Sequence, residues 1–274
     1  MAIRNHETTI GHRFLMGSDK KWQEIAWGEH LHMGLYEGER DTRQQAMMRA
    51  TARMAQDLPL DSGSAVLEVA CGTGQAARHL AIQYGCRVHA TNIDEKQLEL
   101  GRRLTAEAGL DKLVTFGWGD FHHLDNSDDT LDLWWCQEAL VHSSTKERVL
   151  GEARRALKPG AIAVLSDLVV TDDIEPEVRT RLYSRIPTDL IWTREQYARA
   201  IDDLDFEVME YTDWSHNVAR TYDEARSVLL AHEKELKEKV TGKVWGETLS
   251  LYDLWVERAN RGQIGWVCYR LRKT

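Results

Sequence analysis

The sequence contains no hydrophobic stretch near the roughly 18 residues that a membrane-spanning helix needs. Its opening segment, MAIRNHETTIGHRF, has no apolar run of signal-peptide length. Basic residues are also scarce, because 35 Lys and Arg stand against 44 Asp and Glu, a net charge of −9. Such a chain does not offer the basic surface that nucleic acid requires. We therefore expect neither a membrane partner nor a nucleic-acid partner, and the sequence carries no signal for an oligomeric state.

Cysteine is rare, with four residues whose spacing matches neither a metal site nor a C-x-x-C motif. The eleven histidines are scattered and form no H-E-x-x-H pattern. These absences predict reduced thiols, a cytoplasmic location and no bound metal. Phenylalanine is equally rare at four residues, whereas tryptophan occurs ten times. Tryptophan rings pack in cores, and they also hold cations on their faces.

What the chain does contain is a regular alternation of predicted strands and helices after the turn PLDSGS. We predict strands at Ala65–Val69, Arg87–Ile93, Val114–Trp118, Leu131–Cys136 and Ala161–Leu168. The helices between them should begin near Gln75, Asp94 and Thr145, and KPG (158–160) should end the last of these before the fifth strand. Alternation of this kind predicts a parallel sheet covered on both faces. Helical patterns flank this region, and short late strands are predicted at Phe206–Tyr211 and Gly265–Leu271.

A glycine loop follows the first predicted strand in the segment VLEVACGTGQAA (66–77). A strand, a glycine loop and a helix together present backbone N–H groups to a ligand without side-chain bulk. The spacing of Gly72 and Gly74 fits the dinucleotide motif G-x-G-x-x-G/A, and it also fits a loop for S-adenosylmethionine. A nicotinamide enzyme usually places an acid about 20 residues beyond the glycines. Because Asn92 occupies that place and the next acid is Asp94, the dinucleotide interpretation is weakened.

Three further features favour the methyl donor. Glu68 ends the first strand, where a carboxylate can reach the ammonium group of such a cofactor. Asp120 and Phe121 follow the third strand, where an acid can accept from the adenine amino group while a ring packs beside it. The fourth strand ends in WWCQEALVHS, which brings polar residues to the carboxyl edge of the sheet. Open α/β sheets bind their ligands at that edge.

The order of these pieces, E-x-A-x-G-x-G, a polar second-strand residue, G-D and LKPG, resembles class I S-adenosylmethionine-dependent methyltransferases. Four further strings resemble the sarcosine/dimethylglycine N-methyltransferases that make glycine betaine: IAWGEHLHMGLY (25–36), WCQEALVHS (135–143), TDWSH (212–216) and RGQIGWVCYRLRK (261–273). The same strings are similar to methyltransferases that modify sugars on natural products. One difference is the loop ACGTGQ, where the betaine enzymes carry a G-A-G-Y-G-G type.

The resemblance implies a doubly wound α/β domain with a seven-stranded, mostly parallel sheet. It implies an N-terminal helical lid over residues 1–60 and a Rossmann-like S-adenosylmethionine-binding core over 61–172. Residues 173–274 would hold C-terminal lid helices, inserted between strands five and six, and the last two strands. The implied activity is methyl transfer to the nitrogen of a small-molecule acceptor such as sarcosine or dimethylglycine. The alternatives are an O-methyltransferase for a sugar or other natural product, an NAD-dependent oxidoreductase and a module that only senses the cofactor.

The resemblance also assigns site residues. The expected cofactor contacts are Glu68, Ala70, Gly72, Gly74, Asn92, Ile93, Gln97, Gly119, Asp120, Phe121 and Gln137, with helix capping as the other role for Gln97. His142 is the expected acceptor of the amine proton, with Asp167 orienting its ring. The expected acceptor contacts include Trp27, His32, Tyr36, Trp214, His216 and Trp266, with packing as their alternative role, and at least one of the three tryptophans would face the acceptor nitrogen. Arg185 is the expected partner of a substrate carboxylate, and Arg179, Arg181 and Arg220 are the alternatives for that role.

Overall fold

Strands and helices alternate in the computed structural model of the protein, which describes Trp27 and residues 32–182, 191–238 and 242–274. The strands are β1 (Ala65–Val69), β2 (Arg87–Asn92), β3 (Val114–Trp118), β4 (Leu131–Gln137), β5 (Leu157–Val170), β6 (Phe206–Asp213) and β7 (Ile264–Lys273). The helices of the described residues are α1 (Arg43–Ala55), α2 (Gln75–Tyr84), α3 (Glu95–Glu107), α4 (Lys146–Ala156), α5 (Pro176–Leu182), α6 (Arg194–Asp203), α7 (Val218–Ala231), α8 (Glu233–Lys237) and α9 (Gly242–Asn260).

The strands form one sheet in the order β3-β2-β1-β4-β5-β7-β6. Strands β1 to β5 are parallel, and β7 runs antiparallel to both β5 and β6. The predicted seven-stranded, mostly parallel, doubly wound sheet is confirmed. The strand order reverses between β1 and β4, and open α/β sheets bind ligands at the carboxyl ends of the strands beside such a reversal.

Most predicted boundaries agree with the structure to within two residues at each strand end, but the beginning of β5 does not. Helix α4 ends at Ala156 and β5 begins at the next residue, so KPG lies inside the strand instead of ending a helix. The register along β4 jumps there, since Leu131 pairs with Leu157 whereas Leu133 pairs with Ile162. Proline has no N–H for the ladder, and Gly160 takes φ +79°, so these residues form an irregularity in the strand.

The helical insertion also differs from the prediction in its position. Among the described residues, α5 and α6 lie between β5 and β6, whereas α7, α8 and α9 lie between β6 and β7. Helix α7 and its N-cap residue Asn217 are hydrogen-bonded to the segment 32–41 near the other end of the chain. Gly34 N–H donates to Thr221 Oγ1 at 3.2 Å, Tyr36 N–H donates to Asn217 Oδ1 at 2.9 Å, and the Arg220 guanidinium donates to the Gly38 carbonyl at 2.8 Å. We call segment 32–41 together with α7 the cap. The division of the chain at residues 60 and 172 stays a prediction.

The core lies on both faces of the sheet. One apolar cluster includes Val66, Leu133 and Trp135, and the other includes Leu67, Trp134 and Leu165. Successive side chains of a strand point to opposite faces, so strands buried on both faces are apolar along their whole length. Within the described parts of the chain, no helix is long and apolar enough to cross a membrane.

Candidate active site

The loop after β1 is built from left-handed backbone. Ala70, Gly72 and Gly74 take φ values of +50°, +56° and +76°, and Gly74 is the N-cap of α2. The Gly74 N–H donates to the Cys71 carbonyl at 2.8 Å, which closes the turn. The loop therefore ends at a helix N-terminus, where backbone N–H groups and the helix dipole favour polar or anionic ligand groups.

The two glycines of the loop face different surroundings. A Cβ on Gly74 would lie 2.4 Å from the Phe116 ring, so this glycine lets the loop pack against β3. A Cβ on Gly72 would meet no atom of the described residues within 4 Å. The open side of Gly72 is therefore the part of the loop where a ligand can approach the backbone closely.

Glu68, near the end of β1, is hydrogen-bonded to the helix that follows this loop. Its Oε2 accepts a hydrogen bond from the Ala77 N–H at 2.8 Å, which joins the end of β1 to the first turn of α2. Burial raises the pKa of the carboxyl to about 8, and the Ala77 N–H and the nearby Arg78 charge oppose that shift. A buried carboxyl with this pKa favours a cationic neighbour, although direct contact with a cofactor stays a prediction.

The pKa of Glu68 predicts a pH-dependent stability. An ordinary glutamate has a pKa near 4.5 and the folded protein holds Glu68 at about 8, so the unfolded chain loses this proton first. The free energy of unfolding of the ligand-free protein should therefore fall between about pH 4.5 and 8. Glu68→Gln should remove at least about 1 kcal/mol of that fall, since one pKa unit corresponds to about 1.4 kcal/mol. Urea unfolding of both proteins at pH 5 and pH 8 measures this difference. An equal fall in the free energy of unfolding in both proteins would refute the raised pKa of Glu68.

The turn after β2 is organised by Asn92. Its side-chain oxygen accepts from the Ile93 N–H at 2.8 Å, and its Nδ2 donates to Gln97 Oε1 at 2.7 Å. Helix α3 is capped by Asp94, which accepts from the Lys96 N–H at 3.0 Å. The sequence-based capping role of Gln97 is therefore not what the structure has, because Gln97 pairs with the side chain of Asn92 instead. Contact of Asn92, Ile93 and Gln97 with a cofactor stays a prediction.

A hydrogen-bonded chain follows β3. Asp120 Oδ1 lies 2.7 Å from Nδ1 of His122, and Nε2 of the same ring lies 2.8 Å from Ser143 Oγ. This chain joins the Asp120 loop to the turn after β4, and sequence analysis missed His122 and Ser143. Gly119 packs against Thr91, where a Cβ would approach within 2.9 Å, and Phe121 meets the His122 ring edge-on at 4.6 Å. The adenine contacts assigned to Asp120 and Phe121, and the cofactor contact of Gly119, stay predictions.

Polar groups from three elements meet beside the glycine loop. Thr51 Oγ1 of α1 lies 3.1 Å from Gln75 Oε1 and 3.3 Å from Gln137 Oε1. Two buried atoms, Gln137 Nε2 and Thr73 Oγ1, have no hydrogen-bond partner among the described residues. Buried polar atoms are almost always hydrogen-bonded, so such orphans mark a place where a ligand supplies partners. With the open side of Gly72, they fit a cofactor that carries both charged and hydroxyl groups.

Glu138 is a third residue that sequence analysis missed. It follows Gln137 directly, takes φ +51°, and its Oε2 accepts from the Met33 N–H of the cap at 2.6 Å. Burial raises the pKa of its carboxyl well above the usual value, and Asp167 raises it further. The sequence gives only its place in the polar string after β4, because the conformation and the contact with the cap depend on the folded chain.

The two predicted catalytic residues lie in different surroundings. His142 is exposed at the end of a short 3-10 turn, Leu140–His142, which directly follows the polar end of β4. Asp167 is fully buried in β5 and accepts a hydrogen bond from the Tyr197 hydroxyl. Burial raises the pKa of Asp167 to about 6, which the neighbouring Lys146 charge and the Tyr197 hydroxyl oppose. Orientation of His142 by Asp167 stays a prediction.

The predicted acceptor contacts from the N-terminal side lie in the cap or against it. Trp27 Nε1 donates to the Tyr252 hydroxyl at 2.9 Å, and its ring meets Tyr222 edge-on at 5.4 Å. The Tyr36 hydroxyl donates to Glu224 at 3.1 Å, and the Arg220 guanidinium lies 4.0 Å from its ring centre. His32 is buried at the start of the described segment. These contacts hold the cap together, and contact with an acceptor stays a prediction.

The C-terminal acceptor contacts are divided between core and surface. Trp214 and Trp266 are buried, with ring centres 4.7 Å apart, and the Trp214 N–H donates to the Trp266 carbonyl at 2.8 Å. His216 is exposed, with its Nε2 3.0 Å from Asn217 Nδ2. Arg185 lies outside the described residues. Roles for all four in acceptor binding stay predictions.

Comparison with known proteins bears on the whole chain. Residues 66–160 match the family described as a methyltransferase domain. The chain is 33% identical to a sarcosine/dimethylglycine N-methyltransferase of Halorhodospira halochloris, over 91% of this chain and 90% of that protein. It is 34% identical to the 27-O-demethylrifamycin SV methyltransferase of Amycolatopsis mediterranei over 53% of each chain. A crystal structure described as a candidate sarcosine dimethylglycine methyltransferase of Galdieria sulphuraria has a TM-score of 0.85 and 22% identity, over 94% of this chain and 97% of that chain.

Proposed function

We propose that this chain, which belongs to the family of the sarcosine/dimethylglycine N-methyltransferases, methylates the nitrogen of a small amine such as sarcosine or dimethylglycine and so forms glycine betaine. The chain is an S-adenosylmethionine-dependent methyltransferase, and its acceptor is a small molecule. The observation that supports the acceptor is 33% identity over about nine-tenths of both chains, which includes the cap as well as the sheet.

In this reaction, the main task of the site residues is to position the cofactor and the acceptor relative to each other. The cofactor supplies an activated methyl group on a sulfonium, so the chain has to align the acceptor nitrogen with that methyl and exclude water. We propose that the open side of Gly72, the turn at Asn92 and the Asp120 loop hold the cofactor along the carboxyl edge of the sheet. The cap, which is bound to Glu138 through Met33, would cover the acceptor.

An amine attacks only as its free base, so the acceptor must lose a proton before or during methyl transfer. An imidazole takes up protons near neutral pH, which is why sequence analysis selected His142. That role stays a prediction.

The direct test is a paired binding and activity assay. We expect calorimetry to show that the protein binds S-adenosylmethionine and its demethylated product and does not bind NAD. Incubation with labelled S-adenosylmethionine should give methylated products from sarcosine and dimethylglycine, and none from a panel of glycosides and catechols. Binding of NAD without a response to S-adenosylmethionine would contradict the cofactor, and methylation of the oxygen acceptors alone would contradict the acceptor.

The tryptophans provide a prediction about the acceptor. One aromatic face contributes about 0.5–2 kcal/mol to binding a substituted ammonium. Trp214→Leu and Trp266→Leu should therefore raise the KM for the best amine by roughly 2- to 30-fold, and Trp27→Leu should raise it less because that ring packs on Tyr222. Affinity for S-adenosylmethionine should stay nearly constant. Trp192→Leu removes a buried indole from the other apolar cluster and serves as the control.

The melting temperature verifies that the Trp27, Trp214 and Trp266 variants fold. If all three keep the wild-type KM, these rings pack in the core and do not contact the acceptor.

An O-methyltransferase remains the second candidate. The rifamycin enzyme, named for an O-demethylated substrate, matches half of this chain at 34% identity. We also propose a cytoplasmic location, because the four cysteines are free thiols in the structure and none pairs in a disulfide among the described residues.

A further inference from the structure

Glu138 stands at the meeting point of the sheet and the cap. It lies directly after β4, and its φ of +51° is unusual for a residue that is not glycine, asparagine or aspartate. Such a conformation costs on the order of 1–3 kcal/mol and persists only where the surroundings enforce it. Here the Glu138 N–H donates to the Ser166 carbonyl at 2.7 Å, and Oε2 is held by the Met33 N–H. The carboxyl is thereby fixed between β5 and the cap.

The second carboxyl oxygen of Glu138, Oε1, is buried and makes no hydrogen bond of ordinary geometry with a described residue. The Ser166 hydroxyl and the Trp266 indole N–H lie close enough to lower the pKa of this carboxyl. Neither of these donors has a partner of ordinary hydrogen-bond geometry in the described parts of the chain. An acceptor and two donors left unsatisfied in one place indicate a polar ligand that completes their hydrogen bonds.

The surroundings of Glu138 suit a cation. The Trp266 ring pairs with Trp214 at 4.7 Å, and Tyr222, whose hydroxyl interacts with the charge of Glu138, stacks on Trp255 at 4.6 Å. Aromatic faces attract substituted ammonium groups, and a carboxylate adds a full opposite charge and a hydrogen-bond acceptor. A sulfonium or a hydroxyl would not need this combination, because neither brings both a positive charge and an N–H.

We propose that Glu138 binds the ammonium of the methyl acceptor through Oε1 and accepts the proton that its nitrogen must lose. This inference rests on the proposed function. Protonated sarcosine has two N–H groups and protonated dimethylglycine has one, whereas glycine betaine has none. Glu138 would therefore distinguish a substrate that still has a position to methylate from the finished product.

The step balances within the site. The proton moves from the nitrogen to Oε1, which turns the carboxylate into a carboxylic acid and frees the nitrogen lone pair. That pair forms the bond to the transferred methyl carbon as the carbon–sulfur bond breaks and its electrons stay on sulfur. After the product leaves, the carboxylic acid returns its proton to water. Burial and the charge of Asp167 raise the pKa of the Glu138 carboxyl, which makes it a stronger base once the incoming ammonium favours its ionised form.

The titration of Glu138 is set by groups on several elements. Asp167 of β5, Tyr222 of α7 and Cys268 of β7 each interact with its charge, and the Met33 N–H, the Ser166 hydroxyl and the Trp266 N–H stabilise the charged form. All of them remain in a Glu138→Gln variant, so the change in pH dependence reports on Glu138 itself.

The first experiment compares pH–rate profiles. Glu138→Gln keeps the side-chain shape and an oxygen that can accept from Met33, but it cannot take up a proton. We expect kcat with dimethylglycine to fall by roughly 10²- to 10⁴-fold at pH 7. The deficit should shrink as pH rises, because more of the acceptor then arrives as free base. Affinity for S-adenosylmethionine and the melting temperature should stay near those of the wild type.

The matched control is Asp132→Asn. Asp132 lies near the opposite end of β4 and also accepts a backbone hydrogen bond, from the Ala65 N–H at 2.8 Å. Its neutral variant should keep the wild-type profile.

The second experiment measures binding without turnover. In the presence of S-adenosylhomocysteine, the wild type should bind dimethylglycine more tightly than glycine betaine, and Glu138→Gln should lose most of that preference. Wild-type kcat in Glu138→Gln, or the pH-dependent deficit appearing in His142→Gln instead, would overturn the assignment. A wild-type enzyme that methylates neither sarcosine nor dimethylglycine would overturn the proposed function. That result differs from a failure of the Glu138 assignment, in which the wild type is active and Glu138→Gln behaves like it.

Discussion

Gly72→Val should lower the affinity for S-adenosylmethionine by roughly 100-fold while the protein still folds. A Cβ on Gly72 would meet no described atom within 4 Å, so a branched side chain there should extend into the space that we propose for the cofactor. Overpacking of this kind typically costs about 1–3 kcal/mol, and about 2.8 kcal/mol corresponds to 100-fold. Calorimetric titration at fixed pH measures the affinity, and denaturant unfolding measures the fold.

A matched glycine separates the backbone cost from the ligand. Gly109 has a φ of +69° and equally open surroundings, but it lies in the turn after α3, away from the carboxyl edge. Both valine variants should lose a similar stability of about 1–3 kcal/mol from the left-handed backbone. Only Gly72→Val should lose cofactor affinity. Gly74 is unsuitable for this test, because its Cβ would enter the Phe116 ring and mix a folding defect with a binding defect. Wild-type affinity in Gly72→Val would contradict the placement of the cofactor.

The sequence predicts the sheet well because its signals are local. Alternating apolar runs and the glycine loop placed β1 and β3 at the observed residues, and a parallel sheet then brings Glu68, Asn92 and Asp120 to one edge. The irregular start of β5 was missed because KPG is common at helix ends, and pairing with Leu131 is visible only once the sheet has formed. Sequence also gave no sign that segment 32–41 packs on α7, since those contacts join residues about 180 positions apart.

The acceptor side of the site was the least accessible to sequence analysis. Gln137 was selected from the polar end of β4, whereas its neighbour Glu138 was not. The strained conformation, the contact with Met33 and the unsatisfied oxygen all arise from tertiary structure. Sequence position suggested a catalytic role for Asp167 but could not show that the fold encloses its carboxylate completely, and that role stays a prediction.

Asp167→Asn should destabilise the folded protein by about 3 kcal/mol at pH 7. Lys146 is 1% exposed, burial lowers its pKa to about 8, and the charge of Asp167 opposes that shift. Asparagine can still accept from the Tyr197 hydroxyl, so the variant removes mainly the charge that balances Lys146. Removing one of two interacting buried charges costs up to about 3–5 kcal/mol, and the loss should lie at the lower end because Lys146 Nζ keeps its hydrogen bond to the Ser143 carbonyl at 3.0 Å. Urea unfolding measures the loss.

The pH dependence of that loss has a definite sign. Without Asp167 the pKa of Lys146 falls further below the value in the unfolded chain, so the unfolded state binds more protons. Stability of the variant should therefore rise, relative to the wild type, as pH increases toward the ordinary lysine pKa of about 10.4. A deficit that stays constant between pH 7 and 9.5 would show that charge pairing is not its cause.

Lys146→Met in the Asp167→Asn background should restore most of the stability, because it removes the buried positive charge that the charge of Asp167 no longer offsets. The double-mutant cycle should give a coupling free energy of at least about 2 kcal/mol, whereas residues that act independently give less than about 0.5 kcal/mol. The stable double variant then tests whether Asp167 also takes part in catalysis. If its kcat recovers together with its stability, the role of Asp167 is to stabilise the fold. If stability returns while kcat stays more than about tenfold low, the predicted partnership of Asp167 with His142 gains its first support.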